Sequence, residues 1–245
     1  RDGAHKRIAA LIGVEGGHAI EGDIRILRDF HRLGARYMTL TWANSNELGQ
    51  SSCDLQPGAN GKPIDPGLTE FGRDVVREMN RLGMMVDISH VSDRSFYHAL
   101  VVSRSPVIAS HSSSRAITNH PRNMSDDMLV ALARNGGVAQ VNFNCPFISD
   151  EYYTKSKAFE EAHPSETKRM RELRFAPKTP KSKVELDKLV AMMEAEIPRP
   201  PLSALIDHFD HMIKIAGVEH VGIGSDFDGV ECLPQGIDGV QDLPK

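Results

Sequence analysis

The stretch LTEFGRDVVREMNRLGMMVDISH at residues 68–90 contains the unit that decides the fold. Apolar residues recur three and four positions apart over Leu68–Leu82, which predicts a helix with one buried face. Gly83 follows at the position where helices commonly end. The next residues, Met84–Ser89, form a short apolar run that predicts a buried strand ending just before His90. A helix is thus followed directly by a strand.

The same alternation extends along the chain in both directions. Five further apolar runs predict strands at Ile8–Val14, Tyr37–Thr41, Pro106–Ser110, Gly137–Phe143 and His220–Gly224. Helical spacing also occurs at Asp23–Leu33, Asp93–Ser103 and Asp126–Asn135, with Ser92 and Ser125 as predicted N-caps. Buried strands that alternate with helices form parallel sheets, so we predict an α/β fold. Compared with an eight-stranded barrel, the predicted pattern lacks one strand at each end. Both termini resemble truncation points.

The length of 245 residues fits a single barrel domain, and we predict one incomplete barrel domain over 1–245. Two stretches interrupt the alternation. Residues 44–67 are rich in Asn, Ser, Gly and Pro and follow a predicted strand, which predicts a long loop. Residues 150–199 carry a dense run of mixed charges, which predicts a solvated helical insertion held by ion pairs one turn apart.

Composition excludes some classes of function. The formal net charge is −4 and no stripe of Lys or Arg occurs, which argues against a nucleic-acid partner. No apolar run approaches the roughly 20 residues of a membrane span. The three cysteines, Cys53, Cys145 and Cys232, are widely spaced and predict free thiols, with a single disulfide left open. The compartment, whether periplasmic, secreted or cytoplasmic, stays open.

Four predicted strands are followed by a residue suited to metal binding or proton transfer: Glu15, His90, His111 and Asp226. The carboxyl ends of parallel strands open on one face of a barrel, so these four side chains are expected to converge there. Imidazole and carboxylate ligands suit zinc, which accepts both nitrogen and oxygen. The pattern therefore predicts a metal site at this face.

Each of the four residues also has a structural alternative. A histidine at the end of a strand is commonly a hydrogen-bonded structural residue. Glu15 could cap the following helix, and Asp226 lies in a glycine-rich turn, where aspartate is common. The occurrence of all four at equivalent positions favours the metal site.

Six motifs, in the same order as in the family, resemble the membrane (renal) dipeptidase family. They are Val-Glu-Gly-Gly-His at 14–18, Leu-Gly-Ala-Arg-Tyr-Met-Thr-Leu-Thr at 33–41, Asp-Ile-Ser-His-Val-Ser at 87–92, Ser-His-Ser-Ser at 110–113, Pro-Arg-Asn at 121–123 and Gly-Ser-Asp-Phe-Asp-Gly at 224–229. The resemblance implies a (β/α)8 TIM barrel of the metal-dependent hydrolase type. It also implies a site with two zinc ions that hydrolyses dipeptides, often with a D-residue at the C-terminal position.

The resemblance also assigns roles to residues of this chain. Glu15 is similar to the carboxylate that bridges the two ions, and His90 and His111 complete one of them. Asp226 matches the group that takes a proton from the attacking hydroxide and passes it to the leaving amine. Arg122 matches the arginine that pairs with the free carboxylate of the substrate, a role that suits the two-pronged guanidinium.

The sequence departs from the family at two places. The His-x-Asp motif that completes the other ion is absent, since His5 is followed by Lys6-Arg7. Trp42 stands where members of the family often have a histidine that contacts substrate. We therefore expect that this chain lacks part of one metal site and by itself is inactive, and that Trp42 alters the choice of dipeptide.

Two other functions remain open beside a zinc dipeptidase whose partner is a dipeptide substrate. One is a related metal-dependent amidase or lactonase, which Arg122 would distinguish because such substrates lack a free carboxylate. The other is a catalytically impaired barrel that binds metal or peptide, which the missing His-x-Asp and Trp42 favour. A homodimer is also left open.

Overall fold

A parallel sheet organises the chain in the computed structural model, which describes residues 9–58 and 61–243. The strands in chain order are β1 (Ile12–Glu15), β2 (Ala35–Thr39), β3 (Gln56–Pro57), β4 (Pro63–Ile64), β5 (Met85–Asp87), β6 (Ile108–Ala109), β7 (Val138–Val141) and β8 (Val221–Ile223). Six of them form the sheet β1-β2-β5-β6-β7-β8, and every neighbouring pair is parallel. The six predicted strands are these six, so the predicted α/β fold is confirmed.

Helices connect the strands and cover the sheet. They are α1 (Ile24–Arg32), α2 (Glu70–Leu82), α3 (Asp93–Val102), α4 (Asp126–Arg134), α5 (Cys145–Ile148), α6 (Asp150–Ala162), α7 (Pro164–Phe175), α8 (Pro180–Glu196) and α9 (Leu202–Ala216). The predicted N-caps are confirmed, because the side chains of Ser92 and Ser125 accept hydrogen bonds from the backbone N–H of Ser95 and Met128. Within the described ranges β1 and β8 are the outer strands of the sheet and do not pair with each other. The sheet is therefore an open part of a barrel.

The main core lies between the sheet and the helices. Its fully buried side chains include Leu27 of α1, Met38 of β2, Met79 of α2, Phe96 of α3 and Leu129 of α4. Each such burial contributes about 1.5–3 kcal/mol relative to an exposed side chain. This packing fixes the strands, and with them the positions of the residues that follow each strand.

Residues 150–199 form the three helices α6, α7 and α8, which pack around a second and smaller apolar cluster. The cluster includes the buried side chains of Tyr152, Phe159 and Met170. Ion pairs join charged residues on the outside, among them Arg169 with Glu185 at 2.7 Å between Nε and Oε1. The segment is helical and carries ion pairs, although Arg169 and Glu185 lie on different helices instead of one turn apart. Its role as an insertion stays a prediction. The assignment of the whole chain to one domain stays a prediction.

Two cysteines form a disulfide, so the prediction of free thiols is wrong for them. Cys145 at the start of α5 is bonded to Cys232, and the two lie 87 positions apart in sequence. Both residues follow strands that are neighbours in the sheet, β7 and β8, which brings distant positions together. Cys53 is exposed and free, as predicted.

The predicted loop at 44–67 contains the small antiparallel hairpin of β3 and β4, which spacing alone did not indicate. The loop folds back on the strand ends, where the backbone N–H of Ser52 donates a hydrogen bond to the carbonyl of His90 at 2.8 Å. Among residues 9–58 and 61–243, no helix combines the length and the apolar character that a membrane span needs.

Candidate metal centre and active site

Three predicted ligands meet at the carboxyl end of the sheet. Nε2 of His90 lies 3.0 Å from Oε1 of Glu15, and Nε2 of His111 lies 3.3 Å from the same oxygen. The two Nε2 atoms are 2.8 Å apart. One potential ligand atom from each residue thus points to a common volume, in which all three atoms lie within 4.8 Å of one another.

The strand positions explain this convergence. Glu15 is the last residue of β1, while His90 and His111 follow the neighbouring strands β5 and β6 after two or three residues. The backbone of His90 has φ 70°, in the left-handed region that non-glycine residues rarely adopt. Such conformations cost roughly 1–3 kcal/mol and tend to occur at functional sites. Here the turn aims the imidazole back over the strand ends.

A hydrogen-bonded relay orients His111. The hydroxyl of Ser110 donates to Oδ2 of Asp87 at 2.6 Å. Because the Ser110 hydroxyl proton takes part in that bond, Ser110 Oγ can only accept in its 2.8 Å contact with His111 Nδ1. The His111 ring therefore donates from Nδ1. The Nε2 lone pair of His111 is then free to face Glu15 and His90. Nδ1 of His90 is buried and has no hydrogen-bond partner among the described residues.

The electrostatics of the three residues fit a bound cation. Close contacts with the imidazoles of His111 and His90 hold the pKa of Glu15 well below its usual range, so the carboxylate is charged. Burial, together with the nearby Arg122, lowers the pKa of His90 to about 4, so its imidazole is neutral at pH 7. A charged carboxylate and neutral imidazoles are the forms that coordinate a metal. The donor set therefore fits a divalent ion of the zinc type.

Asp226 lies beyond the end of β8 and lines the same cavity as Glu15. Its φ is 57°, the second left-handed residue of the site. Nδ2 of Asn142 donates to Oδ2 of Asp226 at 3.2 Å. Burial raises the pKa of Asp226 above its ordinary value, which brings the carboxyl group closer to the range in which it exchanges protons near neutral pH.

Arg122 is the buried cation of the site, with 6% of its surface exposed. Its Nη2 donates to the carbonyl of His111 at 3.3 Å, and its guanidinium lies 5.6 Å from the centre of the Phe147 ring. In the described part of the chain, no carboxylate lies within ion-pair distance of this group. A buried charge without a partner is costly, which favours an anionic group of a ligand as the missing partner.

One cavity of about 730 Å³ connects Glu15 and His90 with Asp226 and Arg122, and we call it the metal-site cavity. It is lined by Glu15, Trp42, His90, Arg122 and Asp226, among other residues. The Trp42 ring centre lies 6.4 Å from that of His90, and the side chain is 40% exposed. The predicted ligands, proton-transfer group and substrate contacts thus lie at one site. The segment of His5, where the His-x-Asp motif is absent, lies outside the described residues.

Comparison with known proteins places this site in a family. The family described as membrane dipeptidase (peptidase family M19) matches residues 1–245. The chain belongs to this family. It is 38% identical over 239 residues to an uncharacterized dipeptidase of Schizosaccharomyces pombe, with 98% of this chain and 45% of the relative covered. It is 36% identical over 238 residues to the dipeptidase verJ of Clonostachys rogersoniana, covering 97% of this chain and 48% of the relative.

A solved structure supports the fold. The crystal structure of a metallopeptidase from Rhodobacter sphaeroides, liganded with a phosphinate mimic of the dipeptide L-Ala-D-Ala, superposes with a TM-score of 0.70 at 28% sequence identity. The match covers 96% of this chain and 54% of that chain. The chain thus spans about half the length of the curated and solved relatives it matches. A membrane dipeptidase fold, with a candidate metal site of Glu15, His90 and His111, is therefore established.

Four further residues of the candidate site were not assigned from the sequence. Asp87 and Ser110 form the relay to His111, Asn142 contacts Asp226, and His120 lines the metal-site cavity. Asp87 and Ser110 belong to motifs that also contain His90 or His111, which was the available signal. Spacing alone does not reveal on which side of the strand their side chains hydrogen bond.

Proposed function

We propose that the protein containing this sequence is a zinc-dependent dipeptidase that cleaves the peptide bond of a dipeptide. Glu15, His90 and His111 would hold one zinc ion, and a complete site would hold two. The observation that carries the proposal is the cluster of these three ligands, two of which, Glu15 and His90, share the metal-site cavity with a buried Arg122. In the described part of the chain this arginine lacks a carboxylate partner. Membership of the dipeptidase family supports it.

The donor set determines what a bound ion contributes. Zinc held by these residues would supply Lewis-acid chemistry, which polarises a carbonyl group and lowers the pKa of a water molecule. The protein keeps Glu15 charged and His90 neutral, so neither residue has to change its protonation state to bind. The Asp87–Ser110 relay fixes the orientation of His111 before binding occurs.

Asp226 would transfer the proton during hydrolysis. A water molecule attacks the carbonyl carbon, and its proton passes to the carboxylate of Asp226. The C–N bond then breaks, and Asp226 returns the proton to the leaving amine. Burial raises the pKa of Asp226, and Asn142 holds one carboxylate oxygen, so the group is both oriented and more basic than an exposed aspartate.

Arg122 would select substrates with a free carboxylate. A guanidinium binds a carboxylate through two parallel hydrogen bonds, which fixes the end of a short peptide. The packing of Arg122 against Phe147 and its hydrogen bond to the His111 carbonyl hold it beside a metal ligand. The distance between the carboxylate and the scissile bond is thereby limited, which favours a dipeptide over a longer peptide. The relative from R. sphaeroides, crystallised with an L-Ala-D-Ala mimic, is consistent with this substrate class.

The test compares a dipeptide with its C-terminal amide in the zinc-loaded full-length protein. Replacing Arg122 by Gln should lower kcat/KM for the dipeptide by about 100- to 1000-fold, since the partner of a desolvated charge is lost. The same change should barely alter turnover of the amide, which has no free carboxylate. Arg115→Gln is the matched control, because Arg115 pairs with Asp93 instead of lining the cavity. Equal losses for dipeptide and amide would favour the amidase or lactonase instead.

Chelation and a second variant test the remaining roles. Activity should vanish with a chelator and return with zinc, and Asp226→Asn should lower kcat by about 100- to 10,000-fold without loss of the metal. Trp42 favours a second candidate, a barrel that binds metal or peptide without turnover, because its ring lines the cavity 6.4 Å from the His90 ring. Folded, zinc-loaded protein that turns over no dipeptide would support that candidate.

A further inference from the structure

A second cavity lies next to the metal-site cavity, among the helices α6 and α7. We call it the aromatic pocket, defined by the side chains of Tyr152, Tyr153, Phe159, Thr167 and Met170. Its volume is about 200 Å³. Pockets for drug-sized ligands have about 300–1,000 Å³, so this one is suited to a single large amino-acid side chain.

The two cavities share a wall. His120 and Glu231 line both of them. The imidazole of His120 lies between two rings, with centroids 4.5 Å from Phe147 and 4.5 Å from Tyr153. Phe147 lines the metal-site cavity and Tyr153 lines the aromatic pocket, so the two cavities meet at His120.

The buried part of the lining of the aromatic pocket suits an apolar group, whereas its charged residues, Lys157, Glu160, Arg171 and Glu231, are exposed. Tyr152, Phe159 and Met170 are each about 95% buried and present ring or thioether surface to it. Thr167 is also more than nine-tenths buried, and its hydroxyl has no hydrogen-bond partner among the described residues. An unpaired buried hydroxyl costs free energy, which a ligand atom could recover by hydrogen bonding.

The position of Arg122 shows which part of a dipeptide is near this wall. The backbone N–H of Arg122 donates to Nδ1 of His120 at 3.1 Å, so the two residues are held together. If Arg122 binds the substrate carboxylate, the side chain on the same residue of the substrate starts beside His120. The side chain of the other residue starts on the far side of the scissile bond.

We propose that the aromatic pocket receives the side chain of the dipeptide's C-terminal residue past His120, and that the enzyme therefore prefers a large apolar or phenolic residue at that position. This inference rests on the proposed dipeptidase function. It adds a determinant of specificity that lies outside the metal-site cavity and is contributed by the charged helical segment. Without such a ligand, the competing occupant of the pocket is water bound to the Thr167 hydroxyl.

The test measures kcat/KM of the zinc-loaded full-length protein on dipeptides with a constant first residue and Gly, Leu, Phe or Tyr as the second. Burial of one large apolar side chain should raise kcat/KM about 10- to 100-fold over the glycine substrate. Ser156 lies on α6 and lines the pocket, so Ser156→Phe should fill it and abolish the preference while hydrolysis of the glycine dipeptide continues. Thr154→Phe adds the same ring to an exposed position of α6 and should leave the preference intact.

A second variant, at Thr167, tests the aromatic pocket without adding a bulky side chain to it. Thr167→Val removes the unpaired hydroxyl and should fold at least as stably as the wild type, while the ratio of kcat/KM for the Tyr dipeptide over the Phe dipeptide falls. Equal turnover of the Gly and Phe dipeptides, or a preference that survives Ser156→Phe, would overturn the pocket but leave the dipeptidase in place. Failure to hydrolyse any dipeptide, glycine included, would instead overturn the proposed function and the pocket with it.

Discussion

His111 is held by hydrogen bonds on its ring and on its backbone. Ser110 receives the ring Nδ1–H, while Ser89 Oγ accepts the backbone N–H of His111 at 3.0 Å. Asp87 anchors the relay and also accepts a hydrogen bond of 2.5 Å from Thr39 Oγ1. These contacts connect β2, β5 and the end of β6, so the orientation of one imidazole depends on three strands.

Replacing Ser110 by Ala should weaken zinc binding about 10- to 100-fold, because partners of this kind fix the orientation of a ligand and the proton on its far nitrogen. Competition with a chelator measures the affinity, independently of activity. The chain has a single tryptophan, Trp42, beside His90, so its fluorescence reports occupancy of the site. Ser103→Ala is the matched control, since its hydroxyl hydrogen bonds to Asn80 and Ser105 and not to a residue of the site. Equal affinities for the Ser110 variant and wild type would rule out the relay.

The proximity of the candidate ligands could be predicted from sequence, whereas their supporting contacts could not. Glu15, His90 and His111 end or follow strands, and parallel strands place such residues at one edge. The relay through Ser110 depends on side-chain torsions, which the alternation of strands and helices does not determine. That the three ligands bind zinc, and that Arg122 binds the carboxylate of a substrate, stay predictions.

At the scale of elements, Glu78 joins two helices of the outer layer. Arg28 of α1 donates to Oε1 of Glu78 on α2 at 2.6 Å, and Arg81 donates to both carboxylate oxygens at 2.7 Å. The hydrogen bond from Arg81, followed by that from Arg28, lowers the pKa of Glu78 to about 2. The charged carboxylate is therefore stabilised in the folded state relative to the unfolded chain.

Replacing Glu78 by Gln should lower the free energy of unfolding by about 1–2 kcal/mol at pH 7, between the values for exposed and buried pairs. Since the folded pKa is depressed, this stability is present above the unfolded pKa of about 4.5 and is lost as pH falls towards 2. Urea unfolding of wild type and variant at pH 7 and pH 2.5 measures the loss of stability and its decrease in acid. Asp74→Asn on the same helix, which removes an exposed pair with Arg77, should cost less than half as much. A loss that does not shrink with acid would contradict the ion-pair explanation.

The helices and strands were predicted well where local rules operate. The predicted helix Leu68–Leu82 occurs as Glu70–Leu82, and Gly83 ends it with φ 75°. The predicted strand Pro106–Ser110 is only Ile108–Ala109, because ladder pairing, which depends on neighbouring strands, sets its length. The helix Leu202–Ala216 was not identified in the sequence, although it packs on α4. Boundaries and contacts between distant segments thus required the tertiary structure.

For the molecule as a whole, the order of the sheet explains what spacing could not. Cys145 and Cys232 are 87 positions apart, and nothing in their local sequence pairs them. Yet β7 and β8 are adjacent, and each cysteine follows one of them at the same edge. The backbone N–H of Cys145 also donates to the carbonyl of Cys232 at 3.0 Å. The disulfide consequently ties the segment that contains Asp226 to the segment that leads into the charged helices.

This cross-link should be a major part of the stability of the folded chain. Closing a long loop restricts the unfolded state, so Cys232→Ser should lower the free energy of unfolding by about 2–4 kcal/mol. Cys53→Ser should change it by less than about 0.5 kcal/mol, because the exposed Cys53 takes no part in the disulfide. The denatured 245-residue chain should present one reactive thiol before reduction and three after it, in line with its three cysteines and one disulfide. Three thiols without reductant, or equal stability of the two variants, would show that the bond does not form in solution.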